Sequence, residues 1–383
     1  MTTIHLVYPH GSRISCPDAI GRNLAERLRA RYNVLLYDWD ETCAIIPGPD
    51  DILLGHPHPA PWTCFRRSMA QSGWRKIIAM SPYSHGDPTY VAFFDSIIAR
   101  VDLFLAITGR YWYTSVGESI FSHWRLKMIH LDLAVNRNDF PILKTSFNPS
   151  GERRFVYIGN SGLFKNVAYL TAIAKALPEM TFAWIGSRIG SGSTTIPGLL
   201  PYGFQDFQRD DARAIVAGYD FMLTVSRADA NPTTILEAMA WGLIPVCTPQ
   251  SGYIGYPGII NIPLDNLQAV TKRLCMLQEM SEATLLRIQQ ENWNLIEQYF
   301  TWDRFAQQVI DAIEAPKHHI KIEEPLLRKA KLYWTSVVSP FSIFHPIGLR
   351  MGLANPLRKY RNFLSGQHGS PKAVHGIRER DEK

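Results

Sequence analysis

Short, uninterrupted apolar runs recur along the chain and alternate with segments of helical periodicity. In the first half these runs read IHLVYP (4–9), VLLYDW, DILLG, KIIAM and DLFLAIT, and an amphipathic helix is predicted from about Pro17 to Arg31. Strands that are apolar on both faces and are separated by helices are typical of a parallel sheet covered by helices on both sides. The first half is therefore predicted to be a doubly wound α/β unit.

The same pattern restarts near residue 150. The runs RRFVYIG, TFAWIG, YDFMLTV, LIPVC and IINIPL alternate with helical segments, and NLIEQYFTWDRFAQQVIDAI is predicted to close this unit as one long amphipathic helix. The predicted organisation is an N-terminal unit over 1–148, a C-terminal unit over 149–315 and an extension over 316–383. Two Rossmann-like units in tandem face each other across a cleft, and such sheets bind ligands at the carboxyl ends of their strands.

Composition narrows the class of protein further. A chain of 383 residues with 46% hydrophobic and 19% charged content is typical of a globular protein with two cores. The start MTTIHLVYPHGS has no signal-peptide pattern, and no apolar run is long enough to span a membrane. The five cysteines are scattered without a Cys-x-x-Cys pair, which indicates reduced thiols and neither a disulfide framework nor a zinc site. A cytoplasmic protein is expected.

The positive charge of the chain is concentrated in its C-terminal extension. Residues 316–383 hold 13 Lys/Arg and 5 Asp/Glu, whereas the preceding 315 residues carry a net charge of −2. Within 326–364, aromatic and aliphatic residues are mixed with cations, and prolines divide the segment into pieces too short to span a bilayer. Such basic amphipathic pieces bind anionic membrane surfaces. The alternative is a packed helix with a basic end, and no nucleic acid partner is predicted.

The sequence SRADANPTTILEAMAWGLIPV places one carboxylate, Glu237, inside an apolar helix and another, Asp229, just before it. Asn231 is predicted to cap this helix, with Pro232 at its first position and Gly242 at its end. The free N–H groups of a helix start bind anions, and a buried carboxylate needs hydroxyl donors or a cation. An anion and a diol side by side indicate a nucleotide, and the alternative is a structural ion pair between the glutamate and an arginine.

A second loop has features of a phosphate site. FVYIGNSGLFKNVAYL reads as a strand, a loop with Gly159 and Gly162, and then Lys165 near the start of a helix. Glycines let the main chain approach a phosphate, and a lysine supplies a point charge. A surface lysine is the alternative. The Walker motif is absent, and neither unit has Gly-x-Gly-x-x-Gly after a strand, which argues against a nicotinamide enzyme.

Taken together, these motifs resemble those of the retaining nucleotide-sugar glycosyltransferases of the GT-B fold, and more narrowly the bacterial group 1 family. The signature of that family is two acids separated by seven residues and followed by Ala-Met-Ala/Ser-x-Gly-x-Pro-Val, which stands here as Asp229, Glu237 and AMAWGLIPV. Its Gly-Arg…Lys-Gly element stands as Gly159-Asn160…Lys165-Asn166. DLAVNRNDF matches its linker signature and YFTWDRFAQQ its closing helix, so the resemblance spans about residues 1–312.

The resemblance implies a role for each matching residue in the donor site. Glu237 would bind the ribose hydroxyls, Asp229 the donor hexose, and Lys165 the charge of the departing diphosphate. The main chain after Pro232, at Thr233 and Thr234, would meet the diphosphate.

Two residues depart from the pattern of the family. Asp229 replaces a glutamate, and Asn160 replaces an arginine, which removes a cation from the leaving-group site. Arg188 in WIGSRIG is a candidate substitute for that cation. In the first unit, Gly11 and Ser12 follow the first strand and are candidates for the donor phosphates.

Two histidines of the first unit are candidate catalytic residues. LLGHPHPAP holds His56 and His58 after a strand, in a His-x-His arrangement that the family often shows. Ser81 occupies the position of the usual cleft histidine of the family, and His85 follows four residues later. Either His58 or His85 could meet the sugar, and the alternative for each is a hydrogen-bonded loop residue.

The resemblance implies transfer of a hexose from a nucleotide diphosphate sugar to a hydroxyl acceptor, glycan or lipid-linked, with retention of configuration. No metal or other cofactor is expected, because no Asp-x-Asp motif precedes the donor site. Two alternatives are an epimerase or hydrolase of the same fold acting on the nucleotide sugar, and a nucleotide-sugar-binding scaffold with weak catalysis. Asn160 in place of the arginine, together with the unassigned cleft histidine, keeps the scaffold open as an alternative.

Overall fold

Two parallel six-stranded sheets form the framework of the computed structural model. The structure describes residues 2–11, 15–60, 62–86, 93–94, 97–119, 121–187 and 196–317. These residues belong to one compact unit. The basic extension predicted for 316–383 lies outside the described residues except for its first two.

The first sheet has the strand order β2-β1-β3-β4-β5-β6 with all neighbours parallel. Its strands are β1 (Thr3–Val7), β2 (Asn33–Tyr37), β3 (Ile52–Gly55), β4 (Lys76–Pro82), β5 (Leu103–Ile107) and β6 (Met128–Leu131). Its helices include α1 (Cys16–Leu28), α2 (Cys64–Ser68) and α3 (Arg110–Val116). The α/β prediction is confirmed, but β6 was missed because its two middle residues are only half-buried and break the apolar run.

The second sheet has the order β12-β11-β10-β7-β8-β9, again parallel throughout. Its strands are β7 (Arg154–Ile158), β8 (Thr181–Ile185), β9 (Leu200–Gly203), β10 (Phe221–Thr224), β11 (Ile244–Cys247) and β12 (Ile260–Asn261). Its helices are α4 (Val167–Ala176), α5 (Asp210–Ala217), α6 (Thr233–Trp241), α7 (Leu267–Gln278) and α8 (Glu282–Tyr299). The sequence patterns did not predict β9, since all four residues of this edge strand are exposed.

Burial on both faces of the sheet explains why the strands are continuous apolar runs. Ile52, Leu53 and Leu54 of β3 alternate in direction, yet all three are fully buried. Helices therefore cover the first sheet on both sides, as parallel sheets require.

The predicted single long helix at the end of the second unit is wrong. The chain breaks at Phe300 and Thr301, and a separate helix α9 (Trp302–Glu314) begins with the Thr301 hydroxyl accepting from the main-chain N–H of Arg304. This helix lies against α1 of the first unit, where Asp303 accepts a 2.6 Å hydrogen bond from Arg27. The amphipathic pattern continues through the break between the two helices. Helix α8 packs in the second unit, whereas α9 packs on α1 of the first.

A buried lysine fastens the end of α9 to the first sheet. The Nζ atom of Lys76, at the start of β4, donates to the carbonyl oxygens of Ala312 and Ile313 at 2.9 and 3.0 Å and also to that of Ala315. The last carbonyls of a helix have no partner within the helix, so a cation there satisfies them.

The boundaries of the two units at residues 148 and 315 stay predictions.

Candidate active site

Helix α6 begins beside the carboxyl end of β10, one residue later than predicted. It starts at Thr233, and Pro232 precedes it with extended backbone geometry. Asn231 does not cap it, because its Oδ1 accepts a 2.6 Å hydrogen bond from Tyr253 and its Nδ2 donates to Asp132 at 3.4 Å. No side chain among the described residues caps α6. Its first N–H groups therefore point outward as an anion site.

Glu237 lies one helical turn after Thr233, whose hydroxyl is within hydrogen-bonding reach of the carboxylate. Burial raises the pKa of Glu237 to about 7, and the Thr233 hydroxyl partly offsets this effect. In the part of the chain that the structure describes, no lysine or arginine forms an ion pair with Glu237. A carboxylate placed in this way favours a ligand with hydroxyl donors over a structural ion pair.

Lys165 and Asp229, separated by 64 positions, form an ion pair. Lys165 ends a short 3₁₀ turn after β7, and Asn166 follows it in the left-handed conformation at φ 57°. The Asn166 side chain donates to the carbonyl of Val225 at 3.2 Å, which holds the turn against the end of β10. The ion pair remains partly exposed, with 26% of the Lys165 side chain and 17% of the Asp229 side chain accessible. A ligand can therefore reach both charges.

The glycine loop after β7 is held by hydrogen bonds from Trp184 of β8 and within the loop itself. Gly159 has φ 155° and its carbonyl accepts a 2.8 Å hydrogen bond from Trp184, while a Cβ there would lie 2.9 Å from the Tyr157 hydroxyl. The Oδ1 of Asn160 accepts from the Gly162 N–H at 2.9 Å. Asn160 thus shapes the loop and supplies no cation.

The start of α1 faces the start of α6. Ser15 caps α1, and a Cβ on Gly11 would lie 3.1 Å from the Asp18 carboxylate. The Cys16 thiol lies near Glu237 and within hydrogen-bonding reach of Thr233. Burial, and secondarily the charge of Glu237, raise the pKa of Cys16 to about 12. Sequence reasoning missed Cys16, since no motif marks it.

Two predicted donor residues, Ser12 and Arg188, lie outside the described residues. Their roles stay predictions.

His85 is connected to the loop of Asp229 through a tryptophan, Trp112. Its Nε2 is 3.3 Å from the Ser115 hydroxyl, and its ring packs edge-on against Trp112 with centroids 4.9 Å apart. The indole of Trp112 donates to the main-chain carbonyl of Asp229 at 2.8 Å. Burial lowers the pKa of His85 to about 4, so this imidazole is neutral near pH 7. His85 is placed to position the loop of Asp229.

His58 lies in a cluster of rings at the carboxyl ends of the first strands. Its Nδ1 accepts from the Ala60 N–H at 3.2 Å, and its ring is 5.8 Å from that of Trp39. The neighbouring His56 is 3.2 Å from the Ser81 hydroxyl, and burial lowers the pKa of His56 to about 3. Ser81 therefore has a histidine, His56, as its hydrogen-bonding neighbour.

The two sheets approach each other closely through main-chain contacts. The Gly109 N–H donates to the carbonyl of Ala230 at 2.6 Å, and the Tyr111 N–H donates to that of Gly252 at 3.1 Å. Gly109 and Tyr111 follow β5 of the first sheet, and the acceptors Ala230 and Gly252 follow β10 and β11 of the second. The carboxyl ends of the two sheets therefore face each other.

Replacing Gly109 by alanine should destabilise this contact. A Cβ there would lie 2.1 Å from the Gly252 carbonyl oxygen, and main-chain atoms cannot move aside cheaply. We expect the free energy of unfolding to fall by about 1–3 kcal/mol, the usual cost of overpacking. Thermal or urea unfolding measures it. Gly218→Ala is the control, because φ is −73° and the nearest atom to its Cβ is 3.3 Å away. Equal stability of both variants would contradict the contact.

A polar bridge that sequence reasoning missed also joins the two sheets. Asp132, just after β6, accepts hydrogen bonds from Tyr256 at 3.3 and 3.4 Å and lies 3.3 Å from His130. The guanidinium of Arg110 stacks 4.1 Å above the Tyr256 ring. The sequence DLAVNRNDF marked this region, but its first aspartate was matched only as part of a linker.

Two parallel six-stranded sheets whose carboxyl ends face each other are the arrangement of the GT-B class of glycosyltransferase folds. Solved structures confirm this. A sucrose-phosphate synthase from Thermosynechococcus elongatus has a TM-score of 0.61 at 12% identity, over 82% of this chain and 98% of that chain. HepE of Anabaena, solved with UDP and glucose, has a TM-score of 0.58 at 13% identity, over 82% of this chain and 99% of that chain. A glycosyltransferase of Rickettsia africae has a TM-score of 0.56 at 11% identity, over 82% of this chain and 97% of that chain.

The chain therefore has the GT-B fold that these glycosyltransferases share. No protein-family model matches the sequence, and no curated protein matches it. Within the described residues, no group of three or more His, Cys, Asp or Glu side chains is placed to hold a metal ion.

Proposed function

We propose that the protein is a glycosyltransferase that uses a nucleotide diphosphate sugar as its donor. The observation that carries the proposal is the convergence at α6 of an uncapped helix start, the Lys165–Asp229 ion pair and Glu237, which has no cation partner among the described residues. The anion site at the helix start matches a diphosphate, and the cation matches the charge that develops on it. The carboxylate, which needs hydroxyl donors, matches a ribose diol. The GT-B fold and the UDP and glucose in the HepE structure support the proposal.

The proposed roles follow from the charges. Glu237 accepts hydrogen bonds from the ribose hydroxyls, and the N–H groups of Thr233 and Thr234 bind the diphosphate. The amine of Lys165 neutralises the charge that grows on the diphosphate as the glycosidic bond breaks, and Asp229 orients both this amine and the hexose. The proposal includes no metal ion.

We further propose that a hydroxyl acceptor, saccharide or lipid-linked, binds in the first unit near His58 and that transfer retains configuration. The acceptor attacks from the face that the diphosphate leaves, and a leaving phosphate oxygen takes the acceptor proton. Support comes from the facing carboxyl ends of the two sheets, which place the Trp39–His58 cluster on the ligand-binding edge.

A donor screen with product analysis tests the proposal. Thermal shift with UDP-, GDP- and ADP-glucose should identify one base, because a ligand at 100 times its Kd adds about 2.7 kcal/mol. Turnover is then followed with and without saccharide acceptors. Acceptor-independent conversion would indicate the epimerase or hydrolase instead, and binding without any turnover would indicate the scaffold.

The raised pKa of Glu237 predicts that donor binding depends on pH. Because the carboxylate accepts both ribose hydrogen bonds better than the neutral acid, affinity should fall as pH drops below about 7. Calorimetric titration with the nucleotide sugar measures this change in affinity between about pH 5.5 and 8.5, roughly the window around that pKa. The Glu237→Gln variant should show a flat profile, and an equally sloped profile in that variant would assign the dependence to another group.

The raised pKa of Glu237 also affects the free energy of unfolding, in the direction opposite to its effect on donor affinity. The folded chain retains a proton on Glu237 that the unfolded chain releases between its ordinary pKa of 4.5 and about 7. The contribution of this group to stability therefore falls as pH rises through that window.

We propose that the protein is cytoplasmic and that residues 316–383 bring it to an anionic membrane surface. Their net charge of +8 is the support, with each cation near the surface contributing about 1 kcal/mol. Among the residues that the structure describes, no helix is both long and apolar enough to cross a bilayer.

Truncation after Lys317 should abolish co-sedimentation with phosphatidylserine vesicles while donor binding is retained, because all strands of both sheets and the residues of the proposed donor site precede that residue. Binding of the full-length protein should weaken with added salt. Vesicle binding that survives truncation would refute a lipid-binding tail.

A further inference from the structure

Two of the five cysteines lie side by side in the first unit. Cys43 is in the loop that follows β2, and Cys64, 21 positions later, is the first residue of α2. Their Sγ atoms are 3.0 Å apart. A disulfide needs about 2.05 Å between the sulfur atoms, so a movement of about 1 Å would allow the bond to form.

The main chain around both thiols is already joined by hydrogen bonds. The Cys64 N–H donates to the carbonyl of Glu41 at 2.7 Å, and the Ile45 N–H donates to the Ser68 hydroxyl at 2.9 Å. These bonds hold the β2 loop on α2 on either side of Cys43. The two thiols are therefore kept close in the reduced protein without any covalent link.

We propose that Cys43 and Cys64 are a dithiol modification site that a low-molecular-weight disulfide, such as oxidised glutathione, converts to a protein disulfide. The Cys43 thiolate attacks one sulfur of the oxidant and releases one small thiol. Cys64 then attacks the Cys43 sulfur of the mixed disulfide and releases the second. The two protein thiols lose two electrons and two protons, and the oxidant takes up both to become two thiols.

The surroundings set the order of these two steps. Cys43 is half-buried and reachable, whereas Cys64 is fully buried. The guanidinium of Arg67 donates to the carbonyl of Thr42, next to Cys43. The Glu41 carboxylate lies 3.8 Å from the Cys43 sulfur. Burial and the neighbouring Cys43 raise the pKa of Cys64 to about 12, so Cys64 reacts second.

Bond formation would tie together the loops that follow β2 and β3. The first loop carries Trp39, whose ring centroid lies 4.8 Å from that of His56 and 5.8 Å from that of His58 in the second loop. Any effect of oxidation on the acceptor rests on the proposed function, but the modification itself does not.

Peptide mapping of the full-length protein tests the proposal. Trypsin cleavage after Arg31 and Arg66 releases one peptide, 32–66, that contains both cysteines and no other. The protein is equilibrated in glutathione buffers of increasing oxidised fraction and quenched with N-ethylmaleimide. We expect this peptide to change from two maleimide adducts to none, with the mass of two hydrogens lost and no glutathione attached.

Variants separate a bridge from general oxidation. Cys275→Ser removes an exposed cysteine and should leave the change intact, whereas Cys43→Ser and Cys64→Ser should each abolish it. Oxidised wild-type protein should melt about 5 °C higher than reduced protein, and Cys43→Ser should not. Two maleimide adducts on 32–66 under conditions where Cys275 carries glutathione would overturn the proposal, as would a bridge seen only in urea. Donor binding by the reduced protein is measured separately, so failure of the proposed function is distinguishable.

Discussion

Replacing Lys165 with alanine should lower kcat by about 10²–10³-fold and raise KM for the donor much less. The amine contacts Asp229 in the free protein, so its charge is already held at the site. Its stabilising effect grows as negative charge builds on the departing diphosphate. Steady-state kinetics with the donor identified by the thermal-shift screen measure both parameters.

Lys175→Ala is the matched control for this prediction. Lys175 lies in the last turn of α4, the helix that follows Lys165, and is exposed. Its removal changes the same net charge and should leave kcat and KM unchanged. If Lys165→Ala raises KM alone, Lys165 is a ground-state contact, and the role in the departure of the diphosphate is wrong.

Replacing Glu237 with alanine should raise the Kd for the donor by about 10–100-fold, the effect of losing hydrogen bonds to a charged group. The carboxylate is half-buried beside the Thr233 hydroxyl, and no cation pairs with it among the described residues, so its remaining hydrogen-bonding capacity is available to a ligand. Isothermal titration with the nucleotide sugar measures the change. A Kd within twofold of the wild-type value would refute the ribose assignment.

Stability distinguishes a binding role of Glu237 from a structural one. A desolvated carboxylate without a cation costs folding energy, so Glu237→Gln should melt at or above the wild-type temperature at pH 8. A structural ion pair would give the opposite result, because glutamine would leave its cation buried and unpaired. Glu179→Ala, at an exposed position, is the control for both readouts.

Local sequence patterns predicted most of the elements that frame this site. Gly242 ends α6 in the left-handed conformation at φ 97°, as expected from the preference of that conformation for glycine. The seven-residue spacing of Asp229 and Glu237 places one acid before the helix and the other in its second turn. Both results depend only on neighbouring residues, which is why sequence alone sufficed.

Local patterns failed where a distant group competed for a side chain. Asn231 is a residue type that often caps helices. Its side chain instead hydrogen-bonds to Tyr253 and Asp132, and α6 begins without it. The amphipathic run at the end of the second unit is split at Phe300, which is fully buried, and its second part packs on the first sheet. In each case a tertiary contact overrode a local preference of about 1 kcal/mol.

By itself, the sequence determined the two parallel sheets, helix α6 and the positions of Asp229 before that helix and Glu237 within it, because apolar periodicity and helix termini are properties of consecutive residues. Only the tertiary structure decided that Lys165 meets Asp229, that Cys16 faces Glu237 and that Cys43 touches Cys64. These pairs are far apart along the chain, and no local rule relates such residues. Their proximity follows from how the strands order in each sheet, which the burial of apolar surface over the whole chain selects.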